Sequence, residues 1–264
     1  MKTKKCLGVF DSGLGGLTVI KELVKTNIYD EIIYLGDTGR VPYGTRSVET
    51  IIKYAKQDAK FLLEKGATEI IIACGTVSSV AMNELKEFCK VPITGMINDT
   101  VDTAILKTKN NRIGIIGTKA TISHGAFNRR INSFKKNITI VSNACPLFVP
   151  LVEYGFSNED KIIEQACFYY LNKLKISNID TLIMGCTHYP ILEKHFKKYF
   201  NQITLINMAT SVVSKLDYKE GKSKNTIFKY YVTDSVSNFI TGASIFFKDI
   251  DEKLVKKITL PKLE

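Results

Sequence analysis

The 264-residue chain is 45% hydrophobic and 24% charged, enough apolar material for one large or two medium domains. Mean hydropathy is near zero, and no apolar run approaches the roughly 18 residues of a membrane helix, which argues against a membrane protein. The formal net charge of +11 raises nucleic acid as a partner, but the lysines are spread along helix-like stretches such as KYAKQDAK and KHFKKYF, mixed with acids. The densest runs, Lys135-Lys136 and Lys197-Lys198, are short. This pattern predicts a solvated surface and no nucleic-acid groove.

In chain order, MKTKKCLGVFDSGLGG has a basic start, but its apolar stretch is shorter than the roughly 7–15 residues of a secretory signal. A first strand over 6–10 and a cytoplasmic location are expected. Glycines 13, 15 and 16 then turn the chain into a helix over 16–26, where free backbone N–H groups can bind a carboxylate. The dinucleotide fingerprint fails because Thr18 stands at its last glycine position, and no G-K-[ST] follows. A strand over 31–36 leads past Asp37 into Pro42-Tyr43-Gly44, flanked by Arg40 and Arg46. There the Tyr43 hydroxyl and nearby amides are candidates for holding a carboxylate.

A helix over 47–65 precedes a strand over 69–74 that ends on Cys74, followed by Gly75, Thr76 and a helix over 77–89. Strands over 91–97, 112–118 and 138–143 alternate with helices over 99–107 and 120–134. A helix over 158–174 feeds a strand over 181–186 that ends on Cys186, with Thr187 and His188 next. A helix over 189–199, a strand over 203–207, a helix over 209–216 and a strand over 228–234 complete the pattern. Near-continuous Val/Ile/Leu strands alternating with amphipathic helices predict an α/β fold with parallel sheets covered on both faces. The two Cys turns suggest two similar halves, with ligand beyond the carboxyl ends of the strands and in the cleft between the halves.

Six cysteines include no C-x-x-C pair and no zinc-finger spacing, and a reducing compartment disfavours disulfides. Cys6, Cys89, Cys145 and Cys167 sit among apolar residues and are expected to be buried small thiols. Cys74 and Cys186 each stand where a strand opens into a small-residue turn and helix. Exposed N–H groups there favour the thiolate and lower the pKa from ~8.5. His188 is placed to shuttle protons. Three readings follow. A Cys186–His188 nucleophile suits a hydrolase or amidotransferase, although residues two apart on a turn rarely align and Cys74 would be idle. A metal site from Cys74, Cys186 and His188 lacks an evident fourth ligand. Two thiols facing opposite sides of one prochiral carbon use every feature and require no cofactor.

FDSGLGGLTV, YLGDTGRVPYGTRS, ACGT and GCTHYP together resemble the cofactor-independent glutamate racemases of the aspartate/glutamate racemase superfamily, in order and over most of the chain. The resemblance implies two pseudo-symmetric domains, each a mainly parallel sheet flanked by helices, with the active site in the interdomain cleft. One domain would comprise 1–97 plus 208–264 and the other 98–207. It implies racemisation of glutamate, a small-molecule substrate, to supply D-glutamate for peptidoglycan, with no cofactor and no metal; dimers are common in the family.

Carried over by residue, Cys74 and Cys186 are the catalytic acid/bases, Cys74 acting on the D- and Cys186 on the L-enantiomer. Asp11 and His188 match the groups that assist them, and Glu153, in PLVE, matches a further acid near the second thiol. Asp11-Ser12, Pro42-Tyr43-Gly44, Gly75-Thr76 and Thr187-His188 match the substrate-holding positions. Three stretches depart from the family pattern. Gly75 replaces the usual Asn, Met96-Ile97-Asn98-Asp99 replaces Val-Ile-Glu-Pro, and Ile206-Asn207-Met208 replaces an Asp-Ser-Gly-like turn. Gly75 keeps aspartate or another acidic amino acid as an alternative substrate.

Overall fold

Runs such as CLGVFD and EIIYLG have no polar face to offer water, and both are buried along their whole length. In the computed structural model, which describes residues 5–134, 137–216 and 225–263, the strands are β1 (Cys6–Asp11), β2 (Glu31–Gly36), β3 (Glu69–Ile72), β4 (Ile93–Gly95) and β5 (Arg112–Gly117). They continue with β6 (Thr139–Ala144), β7 (Thr181–Met184), β8 (Thr204–Asn207), β9 (Ile227–Val232) and β10 (Val255–Lys257). These form two sheets, ordered β10-β9-β2-β1-β3-β4 and β6-β5-β7-β8. Every pairing is parallel.

The order β2-β1-β3-β4 in one sheet recurs as β6-β5-β7-β8 in the other. Each sheet therefore reverses direction once, between β1 and β3 and between β5 and β7. Such switch points open a crevice at the strand carboxyl ends. Register makes the two crevices comparable: Phe10 pairs with Ile72, and Ile116 with Met184. Counting on from those pairs, Ser12 corresponds to Thr118 and Cys74 to Cys186. Helices cover the sheets by ordinary amphipathic logic. Val48–Glu64 is capped by the Ser47 side chain, which accepts from the Thr50 N–H, and it buries Ile51, Ala55, Ala59 and Leu62 at helical spacing.

The structure differs from the sequence expectation in several places. The stretch 77–89 is two helices, Gly75–Val80 and Met82–Phe88, broken at Ala81. The stretch 120–134 is also two, Lys119–His124 and Ala126–Phe134, separated by Gly125 at φ 68°. Strands β3 and β7 end two residues before their cysteines, so both thiols lie in the turns beyond the sheets. Helices Phe148–Glu153 and Val236–Ala243 and edge strand β10 were not anticipated. The first of these carries Pro150 in its opening turn, where a missing N–H costs nothing. Lys197 and Lys198 are exposed and pair with Glu193 and Glu164; Lys135-Lys136 lies outside the described residues. No helix among the described residues is long and apolar enough to cross a membrane.

Candidate active site

The carboxyl ends of β1, β3, β5 and β7 converge on a cavity of about 440 Å³. From the six-stranded side it is lined by Ser12, the Pro42–Gly44 stretch, Cys74, Gly75 and Thr76. From the four-stranded side come Thr118, Cys186, Thr187 and His188, with Glu153 from the helix Phe148–Glu153. The catalytic and substrate-holding positions carried over from the resemblance all line this cavity except Asp11, which is buried beside it at the end of β1.

Close approach of the two sheets depends on missing side chains. A Cβ at Gly15 would stand 2.1 Å from Thr187 Oγ1 and 2.5 Å from His188 Nδ1, and one at Gly75 would stand 2.5 Å from the Gly185 carbonyl. The same Gly75 Cβ would meet Met208 Cε at 3.2 Å. Of the departures from the family pattern, Met208 thus stands where a side chain at Gly75 would be directed. Thr76 and Thr118 hydroxyls meet across the gap at 3.0 Å.

Each thiol has its own surroundings. Cys74 caps the helix Gly75–Val80 in an extended conformation, and its Sγ lies 3.5 Å from Ser12 Oγ. Despite the helix end, burial, reinforced by the charge of Asp11, pushes the Cys74 thiol up to about 12. The expected lowering at this position does not occur, because desolvation outweighs the hydrogen bonding with Ser12 and the Val77 amide. Asp11 itself is raised by burial, against the opposing charge of His188. Its Oδ2 accepts from the Gly13 N–H at 2.9 Å, and its buried Oδ1 has no hydrogen-bond partner among the described residues. The Gly13 amide, expected to face a bound anion, is thus occupied by the protein's own carboxylate.

Cys186 Sγ lies 3.8 Å from His188 Nδ1, and His188 Nε2 lies 2.8 Å from Glu153 Oε1. Residues two apart on this turn therefore do reach one another, contrary to the sequence argument. Burial alone would lower His188, but its hydrogen bonds to Cys186 and Glu153, and their charges, push it up to about 10. At neutral pH the ring is an imidazolium with both N–H groups donating. Phe246 holds it edge-on, ring centroids 5.1 Å apart.

Tyr43 is where the sequence reading fails most clearly. Its hydroxyl is taken up by the buried Asp37 and Asp58 and is not left to hold a carboxylate in the cavity. Arg40, expected to lend positive charge to the loop, is bonded to Asp37, Gln57 and Asp58. Sequence reasoning missed Thr118, Lys119 and Phe246; for Thr118 the signal was present, since it ends an aliphatic strand as Ser12 follows β1. Cys6, Cys89, Cys145 and Cys167 are buried, as expected, and no cluster of three metal-ligating side chains occurs among the described residues.

The Asp/Glu/Hydantoin racemase family model matches residues 18–216. The chain is 44% identical over 235 residues to the glutamate racemase of Hydrogenobaculum sp. (strain Y04AAS1), spanning 88% of this chain and 89% of that protein. It is 41% identical over 259 residues to the glutamate racemase of Persephonella marina, spanning 98% and 96%. Among solved structures it is similar to a glutamate racemase isoform of Bacillus anthracis, with a TM-score of 0.91 at 31% identity over 98% of this chain and 99% of that one. The glutamate racemase of Francisella tularensis in complex with D-glutamate gives a TM-score of 0.88 at 35% identity, over 97% and 98%.

Proposed function

This chain belongs to the Asp/Glu/Hydantoin racemase family, and on that footing we propose that it interconverts L- and D-glutamate by proton transfer at Cα between two thiols. The observation that carries the reading is that Cys74 and Cys186 leave equivalent strand ends of the two sheets and line one cavity. The halves divide at 97/98 and 207/208. Hydroxyls and amides of Ser12, Thr76, Thr187 and Pro42–Gly44 hold the carboxylates and fix Cα between the sulfurs, which supplies much of the rate by orientation alone.

In the L-to-D direction Cys186, facing the His188 imidazolium, takes the α-proton. Cys74, kept as a thiol by its burial, delivers a proton to the opposite face. In reverse, Asp11, itself raised by burial, takes the Cys74 proton so that Cys74 can remove the α-proton. Cys186, protonated by the His188 imidazolium beside it, returns a proton to the opposite face. The same donors stabilise the carbanion's spread charge. No metal or organic cofactor is needed. The reading extends to a cytoplasmic enzyme, assembled as a dimer, that supplies D-glutamate for peptidoglycan; the family resemblance is its support.

Circular dichroism of D- and of L-glutamate tests it. The wild type should erase either signal without added cofactor, and Cys74→Ser and Cys186→Ser should each slow the loss by at least ~10²-fold. Faster loss of the aspartate signal would keep the chemistry and reassign the substrate. The Cys186–His188–Glu153 chain favours a second reading, a Cys/His hydrolase on a carboxylate-bearing substrate. Solvent deuterium entering Cα during turnover excludes it; hydrolysis without exchange would replace the racemase.

A further inference from the structure

A tyrosine hydroxyl has one proton, and the hydroxyl of Tyr43 meets two carboxylates. Behind the Pro42–Gly44 wall of the cavity its Oη contacts Asp37 Oδ2 and lies 3.0 Å from Asp58 Oδ2. Both acids are fully buried. Arg40 bridges them, with Nε 2.5 Å from Asp37 Oδ2 and Nη2 3.0 Å from Asp58 Oδ1. Thr233 donates to Asp37 Oδ1 at 2.8 Å. Asp37 thus receives donors on both oxygens, the pattern of an ionised carboxylate.

With Asp58 ionised as well, two buried negative charges would face one guanidinium. One oxygen–oxygen contact would also have no proton in it, and both conditions are costly away from water. The oxygen with only Tyr43 as its contact is Asp58 Oδ2. A proton there removes both faults: Asp58 donates to Tyr43, Tyr43 donates to Asp37, and Arg40 balances the one remaining charge. We propose that Asp58 carries a proton in the folded protein, and that the neutral chain Asp58–Tyr43–Asp37–Arg40 is a clamp that fixes the Pro42–Gly44 stretch against the cavity.

The groups facing Asp58 are Asp37, Arg40, Tyr43 and, more remotely, Asp11. Burial pushes its carboxyl well above the usual range, the Asp37 charge adds to this, and Arg40 opposes it. Asp58 lies on the helix Val48–Glu64, which is tied further at Gln57: its Oε1 accepts from Arg40 and its Nε2 donates to the Pro261 carbonyl. Asp58 is a positioning residue, acting on substrate through Tyr43; this part of the proposal rests on the racemase reading.

The asparagine variants separate the two acids. Asp58→Asn keeps a donor for Tyr43 and an acceptor for Arg40, whereas Asp37→Asn loses the anion and leaves its amide facing donors. Asp58→Ala is expected to raise the KM for glutamate roughly 10-fold, with kcat changed far less. Asp58→Asn should bring KM back to within about 3-fold of wild type, and Asp37→Asn should not. Thermal melts give a readout independent of activity. A proton bound in the folded state but lost on unfolding makes wild-type stability fall as pH rises above ~4.

The Tm of Asp58→Asn relative to wild type should therefore climb by roughly 3 °C per pH unit until the folded-state pKa is passed. A pH-independent difference, or rescue by Asp37→Asn in place of Asp58→Asn, overturns the proposal. If Asp58→Ala or Asp37→Asn fails to fold, the melts of Asp58→Asn still decide. A wild type inactive on glutamate would sink the racemase reading and leave the proton count to be judged by the melts.

Discussion

His188 shows how much a single side chain's surroundings decide. The ring is held between Cys186 and Glu153, and its folded value of about 10 lies above the ~6.5 of an unperturbed histidine. The folded protein binds this proton more tightly than the unfolded chain. The associated stability is fully present below ~6.5 and is lost as pH rises toward about 10. Turnover of L-glutamate should accordingly fall on an alkaline limb near that value. Glu153→Gln, which keeps the shape and removes the charge, should move the limb down by at least ~1 pH unit; an unmoved limb in a pH–rate profile would assign it to another group. Glu153 came only through the family resemblance. Cys74, Cys186 and His188 were legible in the sequence because the strand-end thiol occurs twice, although either cysteine alone reads as core. Their protonation was not. The same Cys74 that sits at a helix start is pushed up by burial, and burial depends on the sheet across the gap, which no local pattern encodes.

At the level of elements, the turns that follow β1, β3 and β7 are built around close approach. The glycines in DSGLGG and ACGT read as turn formers, yet neither Gly15 nor Gly75 has a positive φ. What requires glycine there is the opposite sheet. A Cβ at Gly75 would press on the Gly185 backbone carbonyl, which cannot rotate away as a side chain can. Gly75→Ala is therefore expected to cost about 1–3 kcal/mol of stability and, by shifting the Cys74 turn against the Cys186 turn, about 10²-fold in kcat/KM. Removing Met208 bulk by Met208→Ala in the same chain should not restore activity, because the carbonyl remains; rescue would show that the side-chain contact is the limiting one. Most strands were legible from their aliphatic runs. The short helix Phe148–Glu153 was not, since Pro150 masks its pattern. Asp58 left a trace in the sequence: it falls on the buried face of a helix otherwise marked by Ile51, Ala55 and Leu62, where an acid needs a partner or a proton.

For the whole molecule, the recurrence of β2-β1-β3-β4 as β6-β5-β7-β8 gives two equivalent thiol positions, but the halves are unequal around them. Cys74 has Ser12 and the raised carboxyl of Asp11; Cys186 has an imidazolium backed by Glu153. On the proposed reaction this asymmetry cannot show in kcat/KM. The two enantiomers have equal free energy in water, so kcat/KM must be the same in both directions for every variant. Unequal thiols can only divide kcat and KM differently. Asp11→Asn, acting beside Cys74, should lower kcat more for D-glutamate than for L-glutamate, by about 10-fold. His188→Gln, acting beside Cys186, should do the reverse, and in each variant the KM ratio should change by the same factor as the kcat ratio. Progress curves run from each enantiomer measure all four constants. Equal losses in both directions for both variants would mean that Asp11 and His188 serve the substrate as a whole and not one thiol each. The equivalence of the two halves would then extend from their strand order to their chemistry.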